Sequence, residues 1–292
     1  MVRGFYEISN SLMHEICDSF EIDNDFNRLR ETYYDIDYYV LYSILYSTRK
    51  YRKEIYDDLC QLKINDNKLL IISDTHYGSI YENIDYTYNI FNYCIANGIH
   101  VILHGGDIIE SNVKPRVGFN DVVKQAEYFV NKFPFDKSIN TYALLGNHDY
   151  SAINIRRKTI DILSSRNDIN VLGLKKSFIN WKGSIISIEH KIDNYRLLLP
   201  VGAENISFRG NSHFYHIHDK NGRKNEEIYI PALCDDNVPL LSSRKYLIKN
   251  KLVPKPGFLT AEIIDNNIEI VNYSINKGNI KKEKEYIKKL NI

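Results

Sequence analysis

Five times between residues 68 and 213 a short apolar run stops abruptly at a cluster of polar side chains. KLLII runs into SDTHYG, IHVILH into GGD, NTYALL into GNHD, SIISIE into a lone histidine, and ENISFR into GNSH. Runs of this length, rich in Ile, Leu and Val and closed by glycine, read as strands rather than helices. Between them, NIDYTYNIFNYCIANG carries apolar residues at helical spacing and ends in the stop signal Asn97-Gly98. DVVKQAEYFVNKF does the same, with Val122, Val123, Ala126, Phe129 and Val130 as its stripe and Pro134 just beyond. Alternation of this kind predicts an α/β domain whose strands run largely parallel. The carboxyl ends of parallel neighbours lie side by side, so the five polar clusters are expected to converge on one crevice.

The rest of the chain divides around that pattern. Residues 1–66 lack the strand grammar; the stretch from 26 to 62 is apolar at mixed three and four spacings without Gly or Pro, which predicts a helical N-terminal region. The α/β domain is placed at 67–275. It includes a helix over 153–166, strands at INVLG and SFINW, and two hairpins, 214–233 and 257–275, with turns at 219–222 and 265–267. The Lys-rich remainder, 276–292, reads as a solvated helical tail.

Composition removes several classes of function. The chain of 292 residues has a formal net charge of +1, so bulk charge gives no case for nucleic acid, membrane or an acidic ligand. Cys17, Cys60, Cys94 and Cys234 show no paired spacing, which fits neither a disulfide framework nor a thiolate zinc site; free thiols are expected. No apolar stretch approaches 18 residues and the N-terminus has no hydrophobic core of a signal peptide, so a cytoplasmic protein without a membrane partner is expected.

The residues at the strand ends carry the chemistry. Asp74 and His76, Asp107, Asn147 with His148 and Asp149, His190, and Asn211 with His213 supply carboxylates, imidazoles and carboxamides but no thiolate. Such a mixed oxygen and nitrogen set suits Mn²⁺, Fe or Zn²⁺ rather than Ca²⁺. Seven donors around a central carboxylate are the number wanted by two ions about 3.5–4 Å apart sharing one Asp. Asp74 and His76, two apart just past a strand, can aim at one cation, with Gly78 letting the backbone turn away.

In order and spacing, SDTHYG, GGD, GNHD, the lone His190 and GNSH resemble the motifs of the calcineurin-like metallophosphoesterase superfamily, over roughly residues 68–275. The resemblance implies a four-layer αββα sandwich of two mixed sheets flanked by helices, here with a helical N-terminal extension. It also implies two divalent metal ions, Mn²⁺ first, with Fe, Zn²⁺ or Mg²⁺ as alternatives. By motif, Asp74, His76 and His213 would hold the first ion, Asp107 would bridge, and Asn147, His190 and Asn211 would hold the second. His148 would stand beside the leaving-group oxygen, with Asp149 supporting it. The implied reaction is hydrolysis of a phosphate ester by a hydroxide bridging the ions. One departure stands out: residue 211 is Asn where the family has His, which implies a weaker or altered second site.

Alternatives stay open at this point. His216 and His218 form a second His-x-His pair, read here as the solvated face of a hairpin. His104 is either a support for the site or a hydrogen-bonded strand-end residue, His14 and His100 read as structural or exposed, and Tyr77 either lines the cleft or packs. The substrate class implied is a phosphodiester, with DNA or RNA among the candidates. Lys114, Arg116, Arg156 and Arg157 lie near the predicted cleft loops and either suit phosphate contacts or are solvated surface charge. A phosphomonoesterase or protein phosphatase is the alternative enzyme, and a binding module weakened by Asn211 is the alternative from another class.

Overall fold

The computed structural model describes residues 9–23, 25–36, 41, 44–45, 62–111, 118, 121–149, 161–174, 176–190, 205–218, 226–235 and 255–290. Two helices, α1 (Asn10–Asp23) and α2 (Phe26–Thr32), open the chain. Asp25 caps α2, accepting hydrogen bonds from the amides of Asn27 and Arg28. The expected helical character of the N-terminal region holds for these two segments; much of 37–61 lies outside the described residues. Residues 62–64, assigned to the helical region from sequence, are instead strand β1 (Leu62–Ile64), whose parallel partner is more than a hundred residues away. A three-residue strand has too little pattern to be seen without that partner.

The main sheet has seven strands. Four are parallel neighbours: β2 (Lys68–Ile72), β3 (Val101–His104), β4 (Asn140–Leu145) and β5 (Ile169–Leu174). On the other side of β2 follow β11 (Gly257–Ile264), β12 (Asn267–Asn276) and β13 (Asn279–Lys289), each antiparallel to its neighbour, giving the order β13-β12-β11-β2-β3-β4-β5. A second mixed sheet has the order β1-β6-β7-β8-β10-β9, from β6 (Lys176–Trp181), β7 (Ser184–Glu189), β8 (Ile206–Arg209), β9 (His216–His218) and β10 (Glu226–Tyr229).

Strand β2 shows why its sequence is an unbroken apolar run rather than an alternating one. Leu70 and Ile72 face α3 (Ile84–Asn97) and α4 (Val122–Lys132), packing with Ile90, Phe91, Ala126 and Phe129. Leu69 and Ile71 face the other sheet, packing with Ile186, Ile188, Phe208 and Ile228. Both faces are covered, so every position must be apolar. Each such fully buried side chain contributes roughly 1.5–3 kcal/mol, which makes β2 the strand least able to shift. The expected sandwich of two mixed sheets with helices is therefore present. The described contacts place α3 and α4 on the outer face of the seven-stranded sheet and assign no helix to the outer face of the other.

Two further expectations change. The Lys-rich tail is not a helix: residues 279–289 are β13, paired along its length with β12. Lys277 and Gly278, both at positive φ (45° and 81°), form the two-residue turn between them. Lys and Glu favour a helix locally, but the tight turn and a full ladder of partners outweigh that preference, and lysines on an edge strand discourage further pairing. In α4 the buried stripe includes Gln125, which the apolar pattern passes over. Its carboxamide accepts from the Ser111 amide at 2.7 Å and donates to the Ser111 carbonyl at 2.9 Å. It thereby ties the helix to the loop after β3.

The expected hairpins are present: β11 with β12, turning at Asp265 and Asn266, and β9 with β10, whose turn lies outside the described residues. So do Lys114, Arg116, Arg156 and Arg157, and most of the helix expected over 153–166. No helix among the described residues is long and apolar enough to cross a membrane.

Candidate metal centre

The loops after β2 and β3 do not part where the strands end. Asp74 N donates to Gly106 O at 2.9 Å, His76 N to Asp107 O at 3.1 Å and Tyr77 N to Ile108 O at 2.8 Å, so the two chains continue as a curled ribbon. The curl puts side chains where a flat strand would not. Asp74, His76, Asp107, Asn211 and His213 all have positive φ, between 48° and 67°. That backbone region costs a residue with a side chain about 1 kcal/mol or more, and it persists where the surroundings fix it. Five of the seven donors named from sequence are held this way.

Asp107 is the hub. Its Oδ2 lies 3.1 Å from His190 Nε2, 3.8 Å from His148 Nε2 and 3.9 Å from His76 Nε2. Asp74 Oδ1 lies 3.3 Å from His213 Nε2 and 3.8 Å from His76 Nε2. The expected convergence of the strand ends is thus realised for Asp74, His76, Asp107, His148, His190 and His213. Asn147 sits between two residues that touch the hub. His148 N donates to Asp107 Oδ1 at 2.9 Å, and a Cβ added to Gly146 would stand 2.2 Å from that same oxygen and 2.8 Å from His190 Nε2. Only a glycine admits so close an approach. Asn211 reaches the group through its main chain, its amide donating to Asp74 Oδ2 at 2.9 Å.

Buried polar atoms without hydrogen-bond partners mark where a cation fits. Asp74 Oδ1, His76 Nε2, Asn147 Oδ1 and His190 Nε2 are all enclosed and make no hydrogen bond among the described residues. Such atoms are expensive to leave alone inside a protein, and their concentration in one place calls for an explanation. The separations of 3.1–3.9 Å between imidazole nitrogens and carboxylate oxygens are the edges expected of donors each about 2.0–2.2 Å from a common ion. Groups whose atoms lie within 4.8 Å of one another include Asp74 with Asp107 and His190, and His76 with Asp107 and His148.

The outer nitrogens fix the rings. His190 Nδ1 donates to the Gly105 carbonyl at 2.6 Å, and His148 Nδ1 to the Glu110 carbonyl at 2.8 Å; a carbonyl only accepts, so in both rings Nε2 is the atom turned inward. His104 is buried and neutral, accepting at Nδ1 from Gly106 N at 3.2 Å. Its Nε2 therefore donates to Thr75 Oγ1 at 3.0 Å, and that hydroxyl donates to Ile108 O. The two roles weighed for His104 coincide, since its hydrogen bonds hold the residue between Asp74 and His76. Burial drives its pKa down to about 3, despite the opposing pull of Asp74.

Without cations, the donors hold each other charged. Burial raises Asp74, but His213 and His190 outweigh it and bring it to about 2. Burial likewise opposes a lowered Asp107, yet the surrounding imidazoles hold it well below the usual carboxylate range. Burial lowers His190, but Asp107 and Asp74 dominate and raise it to about 9; His213 is raised in the same way by Asp74. The site therefore gathers positive charge where two carboxylates point.

Several assignments change. Asp149 does not support His148. It is buried, accepting from Ile109 N at 2.9 Å and Gly146 N at 2.7 Å, and so braces the loops after β3 and β4. Burial, together with the charge of Asp107, raises it to about 7. Glu110, passed over in the sequence, is buried with Oε2 2.9 Å from His76 Nδ1, in a geometry short of a hydrogen bond, and Oε1 3.5 Å from His148 Nδ1. Its one sequence signal was an acid three residues past Asp107. Cys234, expected from sequence only to be a free thiol, has its sulfur 3.9 Å from His213 Nδ1 and joins His76 and His213 in a third possible ligand group. Like Cys17 and Cys94, it forms no disulfide among the described residues.

The remaining candidates fall outside the centre. His216 and His218 share one face of β9, their rings 6.4 Å apart, and join none of the ligand groups found among the described residues. Tyr77 packs: it is 2% exposed, its hydroxyl bonded to Thr87 and its ring edge-on to Phe129. Gly78, at φ 84°, turns the chain against Gln125, as its position suggested. His100 is exposed and bonded to the Ser138 carbonyl.

No curated protein matches the sequence. Solved structures that align with it are distant. Vps29 from Chaetomium thermophilum is 10% identical, covering 77% of this chain and 99% of its own at a TM-score of 0.46. A structure described as a novel archaeal phosphodiesterase is 13% identical, covering 70% and 99% at 0.42. Purple acid phosphatase PPD1 from yellow lupin (Lupinus luteus) seeds is 11% identical, covering 78% and 55% at 0.46. The family match is of a different order: the sequence model of the calcineurin-like phosphoesterases spans residues 67–269, taking in all five strand-end motifs, and the chain belongs to that family.

Proposed function

We propose that the protein is a dinuclear metal-dependent phosphoesterase acting on a phosphodiester. The observation that carries this reading is Asp107 Oδ2, which faces the inward nitrogens of three imidazoles. One carboxylate in that position can serve two cations at once. Asp74, His76 and His213 are assigned to one ion, and Asn147, His190 and Asn211 to the other. The donor set favours Mn²⁺, then Fe, Zn²⁺ or Mg²⁺.

Bound cations of this kind lower the pKa of coordinated water towards neutrality and offset charge on phosphoryl oxygens. The chain's own part is positioning. His148 has the most exposed side chain of the imidazoles at the centre, 12% against 9% or less, so it is the one a substrate meets. With Nδ1 fixed on the Glu110 carbonyl, its Nε2 is aimed at the space above Asp107, where the ring, when protonated on both nitrogens, can donate its Nε2 proton to a departing ester oxygen. Asp74 and Asp107 are almost wholly buried, which keeps water from competing for the donors.

Elemental analysis combined with a Mn²⁺-supplemented screen tests this. Two ions per chain and faster hydrolysis of bis-p-nitrophenyl phosphate or an oligonucleotide than of p-nitrophenyl phosphate, lost in Asp107→Asn, support the reading. Preference for the monoester favours a phosphatase instead. One ion or none, with negligible turnover, favours a binding module limited by Asn211.

A further inference from the structure

A cleft of about 240 Å³ opens between the two sheets. Its walls belong to the start of β9 (Tyr215), the segment after β10 (Pro231), the approach to β11 (Lys255), and strands β12 and β13. The chain ties it closely to the site. Tyr215 is two residues past His213, within about 7 Å of it along an extended backbone. Pro231 precedes Ala232, which bridges to Ser73 beside Asp74.

A bulge shapes the far wall. In the β12–β13 ladder Asn272 faces Lys284 and Tyr273 faces Lys282, so Glu283 is the extra residue, and Glu283 and Lys284 both line the cleft. The Glu283 carboxylate is already engaged, by Ser274 at 2.8 Å, Lys255 at 3.2 Å and Lys281 at 3.7 Å. Lys284 makes no ion pair among the described residues. Of the charged residues lining the cleft, two are lysines and one is an acid, so the lining carries a net charge of +1.

Two lining residues carry enclosed polar atoms without a hydrogen-bond partner among the described residues, Tyr215 Oη and Asn272 Oδ1. Burial raises the Tyr215 phenol to about 12, so it remains a donor. Pro231 and the ring of Tyr215 supply flat apolar surface. Ligand sites commonly measure about 300–1,000 Å³; this cleft, somewhat smaller, has room for one ring system with a substituent.

We propose that this cleft binds the nucleotide unit next to the scissile phosphate: its base lies against Pro231 and Tyr215, its hydrogen-bonding edge meets Tyr215 Oη and Asn272, and its phosphate meets Lys284 and Lys255. Aromatic faces take any base by stacking, and lysines hold the phosphate as point charges. The assignment rests on the phosphodiesterase reading for its purpose, but not for its test.

Titration calorimetry of adenosine 5′-monophosphate into the full chain in EDTA removes metal from the question. Wild type should bind it more tightly than inorganic phosphate, and Tyr215→Phe and Lys284→Ala should each weaken binding at least tenfold. Binding no tighter than that of phosphate, or unchanged in both variants, overturns the proposal. Tyr215→Phe keeps the ring and Lys284 is on the surface, and circular dichroism verifies their folding. Nucleotide binding through the cleft without any hydrolysis would uphold the subsite and count against the phosphodiesterase reading instead. In active enzyme, the same variants should raise KM for a dinucleotide while kcat holds; unchanged KM overturns the proposal.

Discussion

His190 Nε2 stands 3.1 Å from Asp107 Oδ2 and yet the two make no hydrogen bond, while the other nitrogen of the ring is fixed on the Gly105 carbonyl. A donor and an acceptor that close, both buried and not aligned on each other, are arranged to share a third partner. Because the protonated ring is favoured up to about pH 9 without metal, a cation must displace protons to bind. Calorimetric metal titrations in buffers of different ionisation enthalpy should show proton release near pH 7, and affinity should rise from pH 6 to 9. The metal-free fold carries the matching sign: a raised histidine pKa stabilises fully below about 6.5, and that stability is lost as pH rises through about 9. Thermal melts with metal should lack this alkaline loss.

Glu110 touches the centre only through two histidines. Glu110→Gln should lower metal affinity or activity by about 10–100-fold, because the charge beside His76 Nδ1 is removed while His148 keeps its hold on the residue 110 carbonyl. Metal titration and the pH profile separate this from a folding defect. Wild-type metal affinity, activity and pH profile in the variant would assign Glu110 no part in positioning His76.

His148→Ala removes an imidazole that the proposal places at the substrate rather than on an ion. Turnover should fall by roughly 10²–10⁴-fold with metal content unchanged by elemental analysis. Loss of metal in parallel with rate would make His148 a ligand.

Gly146→Ala tests the packing around the hub. The added methyl would meet Asp107 Oδ1 at 2.2 Å and Asp107 N at 2.3 Å, both in crowded surroundings. Overpacking of this kind costs about 1–3 kcal/mol, and here it should also displace Asp107. A lower Tm together with weaker metal binding is expected.

Lys176 and Glu189 form a buried ion pair across β6 and β7, with Arg209 3.4 Å from the second Glu189 oxygen. Burial tends to raise Glu189, but Lys176 and Arg209 outweigh it and leave its pKa lowered. A lowered carboxylate pKa gives stability that is present above the unfolded value and lost as pH falls through the folded one. Acid melts should therefore show a loss that Glu189→Gln lacks. At neutral pH that variant should be destabilised by about 3–5 kcal/mol, measured by urea unfolding.

The sequence by itself determined the α/β grammar and most of the side chains that gather at the strand ends. Leu69 to Ile72 must be covered on both faces, and a strand so covered, repeated down the chain, leaves its polar ends as the only place for Asp74, Asp107 and Asn147 to gather. What it left open were features whose partners are remote: β1, which exists through pairing with β6; β13, whose lysines favour a helix until β12 supplies a ladder; and the service of Asp149 to two loops rather than to His148. Glu110 and Cys234 escaped notice for the same reason. Local composition and spacing encode which surfaces an element must bury, whereas a hydrogen bond or a ligand distance depends on which distant segment arrives beside it. That is settled only when the chain closes on itself.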